Sequence, residues 1–165
     1  MIYALITFVT TIVLVAVDQG IKFWATMVLE PIGSMPLIPG IVELRYVLNK
    51  GAAFSMLSGK QGFLIAFTAV ALLGILVYLL AKRPAKNLEY IAWLLVLSGG
   101  IGNLIDRAVN QYVVDYINLL FMDFAVFNFA DILVCTGIGL LILDLLLDEI
   151  GKKKAKTGDK ASGND

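Results

Sequence analysis

QGFLIAFTAVALLGILVYLLA, residues 61–81, contains no charged side chain. At roughly 1.5 Å per residue, a helix of this length reaches across about 30 Å, the hydrocarbon thickness of a bilayer. Three other stretches share its character. The chain opens with MIYALITFVTTIVLVAV, meets Asp18, and turns apolar again at Ile21, Phe23 and Trp24. It has no basic leader and no small-residue cleavage pattern, so it reads as a first span over 2–24 rather than a removed signal peptide. A third span is predicted over 90–108 and a fourth over 127–147.

Composition agrees with this reading. Of 165 residues, 59% are hydrophobic and only 16% charged, against about a quarter charged in soluble domains. The mean hydropathy is +0.87. Such a chain cannot cover a water-facing surface with polar groups. Thirteen basic and thirteen acidic residues cancel, which argues against a nucleic-acid binder. Without histidine, serine–histidine and cysteine–histidine catalysis and histidine metal sites are excluded. The lone Cys135 allows no internal disulfide. It reads as packing in an apolar helix.

Orientation follows from the basic residues. Lys82, Arg83 and Lys86 follow the second span, and Lys152, Lys153, Lys154, Lys156 and Lys160 follow the fourth. With four spans these stretches share one side, which the positive-inside rule assigns to the cytoplasm together with both termini. The connections at 25–60 and 109–124 then face outward. The first is turn-rich at Pro31, Pro36, Pro39 and Gly40. Its IVELRYVL, 41–48, reads as a short interfacial strand, and Gly51 and Gly59 bracket a further apolar stretch. The expected fold is an all-α polytopic membrane protein: four transmembrane helices with a small β element in the first extracytoplasmic loop. Residues 1–150 form the membrane-embedded domain, and 151–165 a basic, disordered cytoplasmic tail.

Several polar residues sit where the membrane makes them costly. Asp18 and Lys22 share a helix face. So do Asn103, Asp106 and Arg107, and again Asn128 and Asp131. Gly99, Gly100 and Gly102 remove bulk and let helices approach closely. Taken singly, these groups read equally well as buried pairs holding helices together. All lie toward the outer ends of their spans, however, and Asp115 follows in the short outer connection. One layer of Asp, Asn, Lys and Arg suggests a site. Asp144 and Asp148 lie at the other end, as interface charges. Two acids without histidine point to aspartyl chemistry, in which a close pair shares a proton. Asp115 and Asp131 are the candidate pair because both flank one outer loop. Metal ligands would have to be oxygens, and no acidic cluster has metal-loop spacing.

DQGIK at 18–22, NKGAAFS at 49–55, GGIGNLIDR at 99–107, VVDYI at 113–117 and FNFAD at 127–131 occur in the order found in the lipoprotein signal peptidase (signal peptidase II) family. The chain resembles that family over residues 1–148. The resemblance implies an aspartic endopeptidase of the bacterial cytoplasmic (inner) membrane that removes signal peptides from diacylglyceryl-modified prolipoproteins, cutting before the lipid-modified cysteine. It implies a small β element cradling the substrate, an outer helical segment over the site, no metal or organic cofactor, and sensitivity to globomycin. Its partners would be prolipoprotein signal peptides and membrane phospholipids, with the chain a monomer. The implied catalytic residues are Asp115 and Asp131. Asp18, Lys22, Asn49, Asn103, Arg107 and Asn128 match positions that support the site or contact substrate, and Asp106 is a partner for Arg107. Two departures bear on loop rigidity and inhibitor fit: Ala125 stands near a position where the family often has proline, and the 115–131 segment is compact. The rival readings are a non-catalytic binder of lipidated peptides and a small transporter subunit. The apolar inner halves of the second and third spans count against the transporter.

Overall fold

The structure is a computed structural model that describes residues 2–51, 60–82, 84 and 86–162, with side chains as far as Lys152. Four helices are long and apolar enough to cross a membrane: α1 (Ile2–Leu29), α2 (Gln61–Ala81), α3 (Asn87–Asn110) and α4 (Phe129–Ser162). Three strands, β1 (Ser34–Ile38), β2 (Val42–Asn49) and β3 (Val113–Leu119), form an antiparallel sheet in that order. Arg83 and the stretch 52–59, bracketed by Gly51 and Gly59, lie outside the described residues.

Hydropathy sorts the helices. The α2 window is the most apolar, at 2.7, and α3 the least, at 1.5, yet α3 is the most buried of the four. Polar groups in a span are tolerated where protein surrounds them, so the polar helix takes the centre. It packs against α1, α2 and α4. Leu72 and Leu79 of α2 meet Leu97 of α3, with Trp93 and Leu104 beside them. Phe8, Ile12 and Val13 of α1 and Phe63, Phe67 and Val70 of α2 are exposed, as lipid-facing side chains are. The glycines act as expected. A Cβ on Gly99 would lie 2.3 Å from the Ala130 carbonyl oxygen of α4, and one on Gly102 would lie 2.5 Å from Asp18 Oδ2 of α1.

The elements run further than the sequence pattern suggests. Helix α1 continues to Leu29 rather than ending at 24, and α3 begins at Asn87. The 151–165 segment, expected to be disordered, is helical as far as Ser162. Its alanines and lysines are good helix formers, and an existing helix extends without a new nucleation cost. The β element is larger than one loop supplies. Two strands come from the first connection, but β3 comes from 109–124, which reads in sequence as a plain connection. Gln111, at φ 65°, adopts the left-handed conformation that ends α3. The chain then turns directly into β3. From 120 to 128 it is irregular apart from a bridge between Ile117 and Phe127. No helical cover over this end of the bundle occurs among the described residues.

Candidate active site

The sheet sits where α1 and α3 end and α4 begins, so every polar motif except Asp144 and Asp148 meets there. Those two pair with Lys86 at the opposite end. Strand periodicity aims β3. Val113 and Asp115 line a cavity of about 510 Å³, while Val114 and Tyr116 pack on the other face against Ala25 and Leu29 of α1 and Leu44 of β2. Asp115 is only 2% exposed. Asn49 Nδ2 on β2 donates to its Oδ2 at 3.0 Å, and Asn128 Nδ2 to its Oδ1 at 2.6 Å. Burial, and then the charge of Asp131, push the Asp115 carboxyl up to about 6.

Asp131 lines the same cavity from the first turn of α4. Asn128 is the cap of that helix. Its Oδ1 accepts the Asp131 amide at 3.0 Å, and Asp131 Oδ2 accepts the Asn128 amide at 3.1 Å. This reciprocal arrangement is a capping box with Asn and Asp in the two roles. The other amides of the turn are also taken. Phe129 N donates to the Tyr116 hydroxyl at 3.1 Å, and Ala130 N to Asp18 Oδ1 at 3.0 Å. Side chains from three elements thus hold the turn that carries Asp131.

Asn103 joins the two carboxylates to the buried charges behind them. Its Oδ1 accepts from Lys22 Nζ at 2.8 Å and from Asn128 Nδ2 at 3.2 Å. The amide has only one orientation compatible with both, and it turns Nδ2 toward Asp131 Oδ1 at 2.7 Å. Lys22, 3% exposed, sits between Asp18 Oδ2 at 2.8 Å and Asp106 Oδ2 at 3.0 Å. Gln19 Nε2 reaches Asp106 Oδ1 and the Gly102 carbonyl. Arg107 lines the cavity. Its Nη2 donates to the Gly51 carbonyl at 3.1 Å and its Nη1 to Asn103 O at 3.3 Å, while its Nε is buried without a partner.

All nine sequence-derived candidates therefore fall in one cluster, with three adjustments. Asp106 forms its ion pair with Lys22, where the sequence suggests Arg107. Adjacent side chains on a helix point apart, so Arg107 turns to the cavity while Lys22 of the neighbouring helix reaches Asp106. Cys135 is exposed and lines the cavity one turn beyond Asp131, so it is not core packing. Gln19 and Tyr116 go unnamed in the sequence reading. Gln19 had a signal, since it stands three residues before Lys22 on the same face. Tyr116 had none without knowledge of β3. On its apolar side the cavity is walled by Phe124, Phe127, Ile132 and Val134.

The family model described as signal peptidase (SPase) II matches residues 10–147. A lipoprotein signal peptidase of Streptococcus pyogenes serotype M2 is 47% identical over 139 residues, 84% of this chain and 91% of that protein. The serotype M6 protein of the same name is 46% identical over the same shares. A solved bacterial membrane enzyme, determined by the in meso method at 2.3 Å resolution, superposes with a TM-score of 0.79 at 30% identity, covering 88% of this chain and 90% of that one.

Proposed function

Because the chain belongs to the signal peptidase II family, it is a multi-pass membrane peptidase that removes signal peptides from prolipoproteins, and we propose that Asp115 and Asp131 make the cut. The observation that carries this reading is the unbroken hydrogen-bonded run Asn49–Asp115–Asn128–Asn103–Asp131, which turns two carboxylates onto one cavity. A merely structural pair would be satisfied by a cation between them. Among the described residues neither cation of the network forms an ion pair with either carboxylate: Lys22 stands behind Asn103, and Arg107 donates to the Asn103 and Gly51 carbonyls.

The pair shares one proton. The ionised carboxylate takes a proton from water as the water oxygen attacks the scissile carbonyl carbon. The protonated one donates to the carbonyl oxygen, giving a neutral gem-diol. Collapse breaks the C–N bond, a proton passes to the leaving nitrogen, and the products are a new carboxylate and a free amine. No cofactor enters these steps. Arg107 and Asn49 border the cavity and are placed to hold the peptide backbone. The preferred substrate carries a diacylglyceryl group on the cysteine after the cut. Acyl chains leave a bilayer at about 0.8 kcal/mol per CH₂, so the cut must occur at the depth where they hold the peptide. The site then lies near the outer leaflet, with both termini cytoplasmic, the chain acting as a monomer among phospholipids, and residues 1–150 as the peptidase domain. A globomycin-type inhibitor would occupy the same cavity.

Single-turnover cleavage of a diacylglyceryl-cysteine peptide by wild type, Asp115→Asn and Asp131→Asn in one bilayer mimic tests the assignment. Both variants should fold, bind substrate and lose turnover, and oxygen from labelled water should enter the new carboxylate. A folded variant cutting at the wild-type rate overturns the pair.

A further inference from the structure

Tyr116 lies next to Asp115 on β3, but its side chain leaves by the opposite face. It is 4% exposed and packs against Ala25 and Leu29. A tyrosine in such a place usually finds one partner for its hydroxyl. Here the partner is the Phe129 amide, the first donor of the turn that carries Asp131, at 3.1 Å. Three amides open that turn. Ala130 N is held by Asp18 of α1, and Asp131 N by the helix's own cap, Asn128. Of the three acceptors, only Tyr116 belongs to the strand that bears Asp115.

The backbone pairing between the two segments stops short of the helix. Tyr116 N and Ile117 N both donate to the Phe127 carbonyl, and Phe127 N donates to Ile117 O. The bridge thus ends one residue before the cap. The Tyr116 hydroxyl carries the connection two residues further, into the first helical turn. Asp115 is one residue from this latch on the strand side, and Asp131 two residues from it on the helix side. Movement of the turn relative to β3 must change the gap between the carboxylates. The Asn128 side chain also spans that gap, through its 2.6 Å bond to Asp115, but its orientation depends on the turn being in place. Burial pushes the phenol up from its ordinary range, so it stays protonated and acts as a neutral acceptor.

We propose that Tyr116 is a positioning residue for the hydrolysis, its hydroxyl latching the first turn of α4 to β3 and thereby setting the spacing of Asp115 and Asp131. The proposal rests on the aspartate-pair reading. It concerns neither substrate binding nor proton transfer by the phenol, since Tyr116 faces away from the cavity.

The test is steady-state cleavage of a diacylglyceryl-cysteine peptide by the full chain in a bilayer mimic, with thermal unfolding and a pH–rate profile measured in parallel. Tyr116→Phe keeps the ring and its packing and removes only the acceptor. It should lower kcat about tenfold, the scale expected when reacting groups are slightly misplaced. KM should stay within about twofold. The apparent pKa values of the pair should also move, because their separation sets their coupling. Phe129→Pro removes the donor from the other end at a position where helices accept proline. It should show the same kcat loss and pH shift, and the double variant should be no worse than the poorer single one. Asp115→Asn and Asp131→Asn run alongside. If both are inactive while folded Tyr116→Phe matches wild type in kcat and pH profile, the latch is wrong and the pair stands. If either aspartate variant is active, the pair itself fails. Should Tyr116→Phe not fold, Phe129→Pro decides alone: a wild-type profile there overturns the latch. Additive losses in the double variant overturn it as well.

Discussion

Asn128 performs two separable tasks, and replacing it divides them. Asn128→Ala removes the cap of α4, worth about 0.5–2 kcal/mol. It also removes the 2.6 Å bond to the buried Asp115 carboxylate, and a hydrogen bond to a charged group is worth about 1.5–3 kcal/mol. The combined loss should be roughly 2–5 kcal/mol, and it should depend on pH. The Asp115 carboxyl sits at about 6 in the folded chain, above its ordinary 3.8 when unfolded. The folded state therefore holds the extra proton between these values. Stability from this group is greatest below about pH 4, falls as pH rises through about 6, and is level above that, a difference of roughly 3 kcal/mol. The Asn128 amide favours the charged form. Without it the folded value rises further, and the deficit of Asn128→Ala should be larger at pH 8 than at pH 4. Asn128→Ser restores an acceptor for the Asp131 amide, but its side chain is too short to carry an amide donor to Asp115. Its stability should return to within about 1 kcal/mol of wild type at low pH. The pH–rate limb set by Asp115 should stay displaced upward, as in the alanine variant. Thermal unfolding in lipid at several pH values, with cleavage rates on the same preparations, measures both tasks. The reasoning is refuted if Asn128→Ser restores the rate profile together with the stability, or if the alanine deficit is the same at pH 4 and pH 8.

Lys22→Met leaves Asp18 and Asp106 buried without their shared cation and removes one of the two donors that hold the Asn103 amide in place. It should cost about 3–5 kcal/mol and most of the activity, with part of the stability recovered by adding Asp106→Asn; unchanged unfolding in lipid would contradict this. Gly102→Ala forces a methyl to within 2.5 Å of Asp18 Oδ2, an atom already fixed by Lys22, and should cost about 1–3 kcal/mol. Gly139→Ala, with nothing within 4 Å of its added carbon, should be neutral or slightly stabilising in the same unfolding assay. Cysteine labelling at Lys86 and at Leu120 tests orientation: impermeant reagent should reach residue 120 from outside and residue 86 only from inside, and equal outside labelling at both would reverse the topology argument.

The four spans follow from the sequence because membrane insertion depends on summed hydropathy over a window, a property the chain carries without its neighbours. The polar layer was legible for a related reason. Charged and polar groups within a span must be satisfied by protein, so Asp18, Lys22, Asn103, Asp106 and Arg107 announce a buried cluster before any contact is known. Close packing at Gly99 and Gly102 was likewise readable from missing side chains. Which partner each charge takes was not. Lys22 is within helical reach of Asp18, and Arg107 adjoins Asp106 in sequence, yet only the placement of α1 beside α3 gives Asp106 to Lys22. Strand β3 was hidden because its pairing partner, β2, lies more than sixty residues away, and strand formation depends on that partner more than on local propensity. With β3 unseen, the opposed directions of Asp115 and Tyr116 could not be deduced, nor could the Tyr116 hydroxyl be brought to Phe129. The sequence by itself determined that acids would gather at one end of a bundle in the membrane. Tertiary structure alone decided the atoms between them, because hydrogen bonds of 2.6–3.1 Å depend on the relative placement of elements that no local pattern encodes.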